Sequence, residues 1–382
     1  MCKSIQVFIL FIVVSLYNTV SFAQHIKDSS IVLIDKKTFF ETPAAYELMQ
    51  IAFALTDTNN YSNNTNLYYL VIDTSSSYYK EVINYFSAYK NHQLIIDLNK
   101  HFRKSQSRYI YNLLKAYNTS VVENEVARNK RFPFFHGLMY SFNSVSRKEI
   151  ERFAKASNFQ AFYDSHKLYY QAVLEDSKIK LNVSKIQQWL ETEFSSKYDQ
   201  FNIIISPLMH STHFTRNFKF KRNKTSTMWV SDASYYNTRF YTNTQIAGIF
   251  TGTVFTEIDH NYVNPVSDQY KKEVNQIMGG SNRAKWIKSN GDGKFYGSGY
   301  KVFNEYMTHA VYLLYTNLNY TSTDQVMIEK SRINLMVARR KYYRFADFYK
   351  QLKILYTSKK EGETITTLYP QMLEWCKQQN LK

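Results

Sequence analysis

The stretch FTEIDHNYVNP, residues 255–265, carries the acidic and imidazole groups on which the fold assignment depends. Its first seven residues are the end of a longer segment, residues 244–261, whose apolar spacing predicts a helix. A second stretch, FNEYMTHA over residues 303–310, lies in another predicted helix, residues 302–317. There Glu305 and His309 are four residues apart, so they share one face of that helix.

Residues that interrupt regular structure are scarce, with ten glycines and five prolines in 382 residues. Long periodic stretches with few breakers predict a mostly helical chain. One clear start is Thr42-Pro43, where a cap and a proline precede an apolar helix that ends near Thr56. The other predicted helices cover residues 77–89, 101–117, 144–174 in two or more segments, 186–194, 244–261, 302–317, 323–339 and 343–356.

A run of β-branched residues, FNIIISP over residues 201–207, predicts a buried strand in the middle of this helical chain. TMWVS over residues 227–231 predicts a second strand. The predicted fold class is therefore α+β, mostly α-helical, with a small mixed sheet beside the motif helices. The sheet begins near residue 200, which divides an N-terminal helical region, residues 24–200, from a motif-bearing region, residues 201–382, and we expect the two to fold together.

The first 23 residues have the features of a secretory signal peptide. Lys3 precedes an apolar run, Val7–Leu16, and Ser21-Phe22-Ala23 supplies a small-x-small end. We expect cleavage after Ala23, export to the periplasm or the cell exterior, and no transmembrane segment in the remaining chain. That chain keeps one cysteine, Cys376, so it cannot form an internal disulfide.

The formal net charge is +17, which suits a basic surface able to attract acidic polymers. An equally simple interpretation is a basic surface with no such partner. No recognised signature of a nucleic-acid-binding fold accompanies the charge, so nucleic acid is not a predicted partner. The strongest local cluster of basic residues alternates with aromatic residues, a pattern that favours a strand leading into a solvated turn. Its members are Arg216, Lys219, Lys221, Arg222 and Lys224.

The two motif stretches resemble the halves of a gluzincin site, which carries H-E-x-x-H on one helix and N-E-x-x-x-D on a later one. The resemblance implies zinc as cofactor, because two histidines one helical turn apart can bind one ion. It implies that Glu257 is the catalytic base for a zinc-bound water. His260 matches the second histidine ligand, and Asn304 and Glu305 match the N-E pair, which makes Glu305 the third ligand.

Two positions depart from this pattern. Thr256 stands where the first histidine ligand belongs, and a hydroxyl is a poor zinc ligand. His309 stands where gluzincins have the aspartate that orients that histidine. The coincidence suggests an exchange, in which His309 supplies the missing imidazole and zinc is held by His260, Glu305 and His309. The alternative is a site that keeps the frame and has lost the metal.

Other segments resemble a wider family. PAAYELMQIAFALTD, YKEVINYFSAYKNHQLI, SNFQAFYDSHKLYY and FTEIDHNYVNP are similar to exported proteins common in the Bacteroidota, a domain-of-unknown-function family regarded as zincin-like peptidases. The resemblance extends from about residue 40 to 370. It implies a zincin-like fold and a peptidase ancestry.

Further candidates surround the motif. His213 follows the strand over residues 201–207, and in zincins an edge strand borders the cleft and binds extended substrate. Six of the ten glycines fall in residues 279–299, between the motif helices. This segment is either a mobile flap, with Tyr296 as a helper group for the oxyanion, or an ordinary surface loop.

The sequence thus leaves three functions open. The first is an exported zinc-dependent peptidase with a degenerate motif, acting on a peptide or protein substrate. The second is an inactive pseudopeptidase that binds peptides or a surface. The third is a basic protein that binds an acidic surface polymer through residues 216–224.

Overall fold

The computed structural model describes residues 30–57, 71–105, 108–129, 131, 134–220, 222–233, 241–288 and 296–381, and the predicted signal peptide lies outside them. Helices dominate these residues, so the predicted α+β, mostly helical fold is confirmed. The α-helices are α1 (Ala44–Ala54), α2 (Ser77–Phe86), α3 (Gln93–Lys104), α4 (Arg108–Tyr117), α5 (Phe134–Phe142), α6 (Arg147–Ser157), α7 (Phe159–Ser165), α8 (Lys167–Leu181), α9 (Val183–Glu193), α10 (Asn243–Gln269), α11 (Lys271–Met278), α12 (Gly299–Asn319), α13 (Ser322–Asn334), α14 (Phe345–Thr357) and α15 (Tyr369–Leu381).

The strands form two sheets. They are β1 (Ile31–Asp35), β2 (Thr38–Thr42), β3 (Thr119–Val122), β4 (Glu125–Arg128), β5 (Gln200–Ser206), β6 (Phe214–Phe220) and β7 (Asn223–Ser231). Five strands form one sheet in the order β1-β2-β5-β7-β6, and β3 pairs with β4 in antiparallel register. The predicted strands over residues 201–207 and 227–231 correspond to β5 and β7.

Several element boundaries differ from the predictions. The helix predicted over residues 101–117 is two helices, because Ser105 takes an extended conformation between α3 and α4. The helix predicted to end at Asn261 continues through Pro265 to Gln269. Proline removes one backbone hydrogen bond from a helix, yet α10 continues for four residues beyond Pro265. The apolar periodicity also gave no prediction for α5, α11 and α15 or for the short strands β1–β4.

The chain divides into two compact units. The first comprises the described residues up to Leu33 with Glu41–Leu174 and Ile204–Thr212, and the second comprises Ile34–Phe40, Glu175–Ile203 and the described residues from His213 onward. The predicted division near residue 200 stays a prediction. Among the described residues, no helix is both long enough and apolar enough to cross a membrane.

The core of the second unit forms around α12. Almost every residue from Val302 to Thr316 is buried, and the helix packs against α10, α11 and α14. The β6–β7 hairpin packs on α10, with Phe214 stacked on its cross-strand partner Trp229. Both motif stretches therefore lie on helices that are fixed by core packing.

Candidate functional site

Helix α10 presents three of the predicted site residues. Thr242 begins it with a capping box, in which its hydroxyl accepts from the backbone of Gln245 and the Gln245 side chain accepts in return. Fourteen residues on, the Thr256 hydroxyl donates back to the carbonyls of its own helix, at 3.0 Å from Gly252 and 3.1 Å from Thr253. Thr256 is thus bonded within its helix.

The carboxylate of Glu305 is the centre of the site. It lies 3.4 Å from Nε2 of His260 and 3.7 Å from Nε2 of His309, and an Arg340 N–H donates to it at 2.8 Å. Burial alone would raise the pKa of Glu305, but Arg340 and the two imidazoles hold it well below its ordinary value. Glu305 is therefore a buried carboxylate whose countercharge comes from an arginine.

His309 lies between two arginines. Arg332 approaches Nδ1 at 3.1 Å, and Arg340 approaches Nε2 at 2.6 Å. Burial, together with these two cations, lowers the pKa of His309 to about 3, against the smaller opposing effect of Glu305. A neutral imidazole accepts at one nitrogen only, so the two guanidinium groups compete for a single lone pair.

Arg332 reaches this position because Gly252 has no side chain. A Cβ at Gly252 would lie 2.0 Å from Nη2 of Arg332 and 2.6 Å from the Tyr312 ring. The guanidinium sits over that ring, 4.5 Å from its centroid. Gly252 and Thr256 are one turn apart on α10, so small residues line the space that an arginine fills.

His260 is the second cation beside Glu305. Burial alone would lower its pKa, but Glu305, with smaller contributions from Asp259 and Glu257, raises it to about 9. Its other ring nitrogen lies 3.4 Å from the Thr308 hydroxyl. Burial also raises the pKa values of Glu257 and Asp259 above their ordinary values.

The remaining candidates are divided between the site and its surroundings. The Tyr296 hydroxyl accepts from Arg340 at 2.7 Å and so belongs to the cluster. Asn304 is buried on α12, one residue before Glu305. His213 bonds to the Ser231 hydroxyl at 3.1 Å, in the β-hairpin region rather than at Glu305. The basic cluster lies on β6, β7 and their turn, and Lys221 is outside the described residues.

The predicted zinc ligands come together, yet their arrangement does not fit a zinc ion. In the described part of the chain, no group of three or more His, Cys, Asp or Glu is arranged to hold a metal. Arg340 hydrogen-bonds to Glu305 and to His309, two of the three predicted ligands. The zinc assignment and the exchange of histidines stay predictions, with this donor geometry against them.

A depression of about 370 Å³ lies beside His260. Thr215 and Asn217 of β6 line one side of it, and residues of α10 line the other. Asn217 donates to Asn261, which in turn donates to the Ser226 hydroxyl at 2.8 Å, so the amide groups are locked in orientation. The other lining residues are Tyr198, Asn264, Pro265 and Asp268.

Neither Arg332 nor Arg340 was among the site residues predicted from the sequence. Arginine partners of a buried carboxylate follow no fixed spacing, so no motif marks them. Arg340 directly follows a π-helical turn, Leu335–Arg339, so the segment predicted as one helix over residues 323–339 ends in a wider turn with i→i+5 hydrogen bonds. Such turns often occur at functional sites, but a sequence does not reveal them.

Comparison with known proteins gives one match. The model of a family described as a domain of unknown function, DUF4932, matches residues 144–373, which is more than half of the chain. The matched region contains Glu305 and the side chains around it, namely His260, Tyr296, His309, Arg332 and Arg340. No curated protein matches the chain, and no solved structure does.

Proposed function

This chain belongs to the DUF4932 family, and from the geometry of its site we propose that it is an exported protein that binds extended peptides without a metal ion. In this proposal the frame is that of a zincin peptidase, and arginine replaces zinc as the cation at Glu305. The protein is then a pseudopeptidase rather than a hydrolase.

The observation that carries this proposal is the double contact of Arg340. Its guanidinium donates to Glu305 at 2.8 Å and to His309 at 2.6 Å. A buried carboxylate needs a countercharge, and a zinc ion or a guanidinium can supply it. Zincin catalysis needs a water activated by the metal for the glutamate base to deprotonate. With Arg340 in the cation position, Glu257 has no such water to act on.

Peptide binding is supported by the edge of the sheet. β6 is the last strand in the order β1-β2-β5-β7-β6, so within the described residues one of its edges has no neighbouring strand. An extended peptide can add to such an edge through main-chain hydrogen bonds. The depression beside Thr215 and Asn217 opens on the same strand, and Asn264 lies in its lining. The side-chain oxygen of Asn264 is buried and has no hydrogen-bond partner among the described residues, and in this proposal the Asn264 amide contacts the peptide main chain.

The experiment is fluorescence anisotropy of fluorescein-labelled unfolded casein with protein lacking residues 1–23. We expect saturable binding that EDTA does not change, no cleavage on gels, and binding at least several-fold weaker in Asn264→Ala and Asn217→Ala. The charged control Arg222→Ala, at the hairpin turn, should bind as the wild type does. Absence of saturable binding, or binding abolished by EDTA, would overturn the proposal.

A second candidate is the zinc peptidase itself, because His260, Glu305 and His309 do converge. It requires Arg340 to leave Glu305 and His309 when zinc binds. Casein cleavage that stops with EDTA and with Glu257→Gln would favour this candidate over the first.

A further inference from the structure

Helix α5 of the first unit turns an apolar face outward. Phe142 is 77% exposed, Met139 46% and Leu138 40%. Leu138 and Met139 are adjacent, and Phe142 follows them by four and three residues, so the three side chains lie on one side of the helix. The inward side is formed by Gly137 and by Tyr140, which is 3% exposed. A surface helix ordinarily places polar residues outward, and three adjacent exposed apolar side chains indicate an interaction surface.

The surroundings of α5 are basic. Residues 126–148 contain five lysine or arginine residues and no aspartate or glutamate, although Glu125 and Glu149 border this segment and Arg131 is largely buried in an ion pair with Glu41. Arg128, just before α5, and Arg147 and Lys148, just after it, are exposed. Burial, with a smaller effect from Arg147, lowers the pKa of Lys115 on the neighbouring α4 to about 8.

We propose that α5, with the basic residues on both sides of it, docks on an anionic lipid surface. An interfacial helix lies in the headgroup layer, with its apolar side chains inserted and its basic residues near the lipid phosphates. The nine residues of α5 suit this position, since a spanning helix needs about 20. A second copy of the chain is a poor occupant, because it would bring the same positive charges to the contact. This inference is independent of the peptide-binding proposal, because it concerns another unit.

The test is co-sedimentation of the protein lacking residues 1–23 with vesicles of phosphatidylcholine alone or mixed with phosphatidylglycerol. We expect binding to the mixed vesicles only, falling as salt is raised. Phe142→Ser should weaken it about tenfold or more, because the inserted ring is lost. Arg147→Glu with Lys148→Glu should also weaken it. Val326→Ser is the matched control, since Val326 is an apolar side chain that is 64% exposed on α13 of the second unit.

A second readout separates docking from misfolding. Phe142→Trp places an indole at the most exposed position of the face, and its emission should shift to shorter wavelength with mixed vesicles and not with phosphatidylcholine. No binding to mixed vesicles, or equal loss in Phe142→Ser and Val326→Ser, would overturn the proposal. So would self-association that Phe142→Ser abolishes without any binding to vesicles.

Discussion

Arg340 and Glu305 form a partly buried ion pair in which a guanidinium N–H donates to the carboxylate at 2.8 Å. The same guanidinium contacts His309, and Arg332 contacts the other nitrogen of that ring. These four side chains occupy the part of the fold where the motif resemblance predicts zinc. The departures at Thr256 and His309 are thus accompanied by two arginines.

Arg340→Met should lower the free energy of unfolding by about 1–3 kcal/mol, because it removes a guanidinium donor from the buried Glu305 carboxylate and leaves the charged form of His260 as its remaining cation. Urea denaturation measures this change. The double variant Arg340→Met/Glu305→Gln should lose less than Arg340→Met alone, since its carboxylate is neutralised. Equal stability of Arg340→Met and the wild type would contradict a buried pair at this position.

Gly252→Ala should destabilise the protein by about 1–3 kcal/mol, because the added Cβ overlaps Arg332 and the Tyr312 ring. Helix propensity alone predicts the opposite sign, a gain of about 1 kcal/mol. The control is Gly297→Ala, where a Cβ meets no atom within 4 Å. Thermal or urea unfolding of both variants decides which effect is larger at Gly252.

His309 should make the fold sensitive to acid. Its pKa is about 3 in the folded protein and about 6.5 when unfolded, so its contribution is present above pH 6.5 and lost as pH falls toward 3. The expected slope is about 1.4 kcal/mol per pH unit. His309→Gln should remove this part of the acid sensitivity in unfolding curves between pH 6.5 and 4. An unchanged slope would show that His309 is protonated in the folded state.

His260 should make the protein less stable as the pH rises into the alkaline range, which is the opposite pH dependence to that of His309. Its folded pKa is raised to about 9, so the stabilisation from its charged form is complete below pH 6.5 and is lost as pH rises through 9. His260→Gln should flatten the stability profile between pH 6.5 and 9. NMR titration of the His260 ring checks the pKa directly, and a value near 6.5 would mean that Glu305 does not hold the proton there.

The sequence predicted the elements of this site better than its chemistry. Periodicity placed α10 and α12, and the motif spacing identified His260, Glu305 and His309, which do meet around one carboxylate. The arginines around that carboxylate were not predictable, because Arg332 and Arg340 come from a later segment at no fixed spacing from the motif, and Arg340 follows a π-helical turn that the sequence does not reveal. Short strands such as β1 and β2 depend on tertiary pairing, which local sequence records weakly.

The same limit applies to the surface of α5. From the sequence, the exposed face of α5 cannot be distinguished from a buried apolar segment, because a protein core and a lipid-contacting surface contain the same types of apolar residue. Only the exposure of Phe142 beside the inward Gly137 and Tyr140 distinguishes the two.

If arginine replaces zinc at Glu305, the purified protein retains no zinc. Plasma mass spectrometry measures the metal content of protein lacking residues 1–23, loaded with zinc and then dialysed, with His309→Ala alongside. We expect zinc far below one equivalent in both proteins. Near-stoichiometric zinc in the wild type that disappears in His309→Ala would contradict it and establish a zinc site that uses His309.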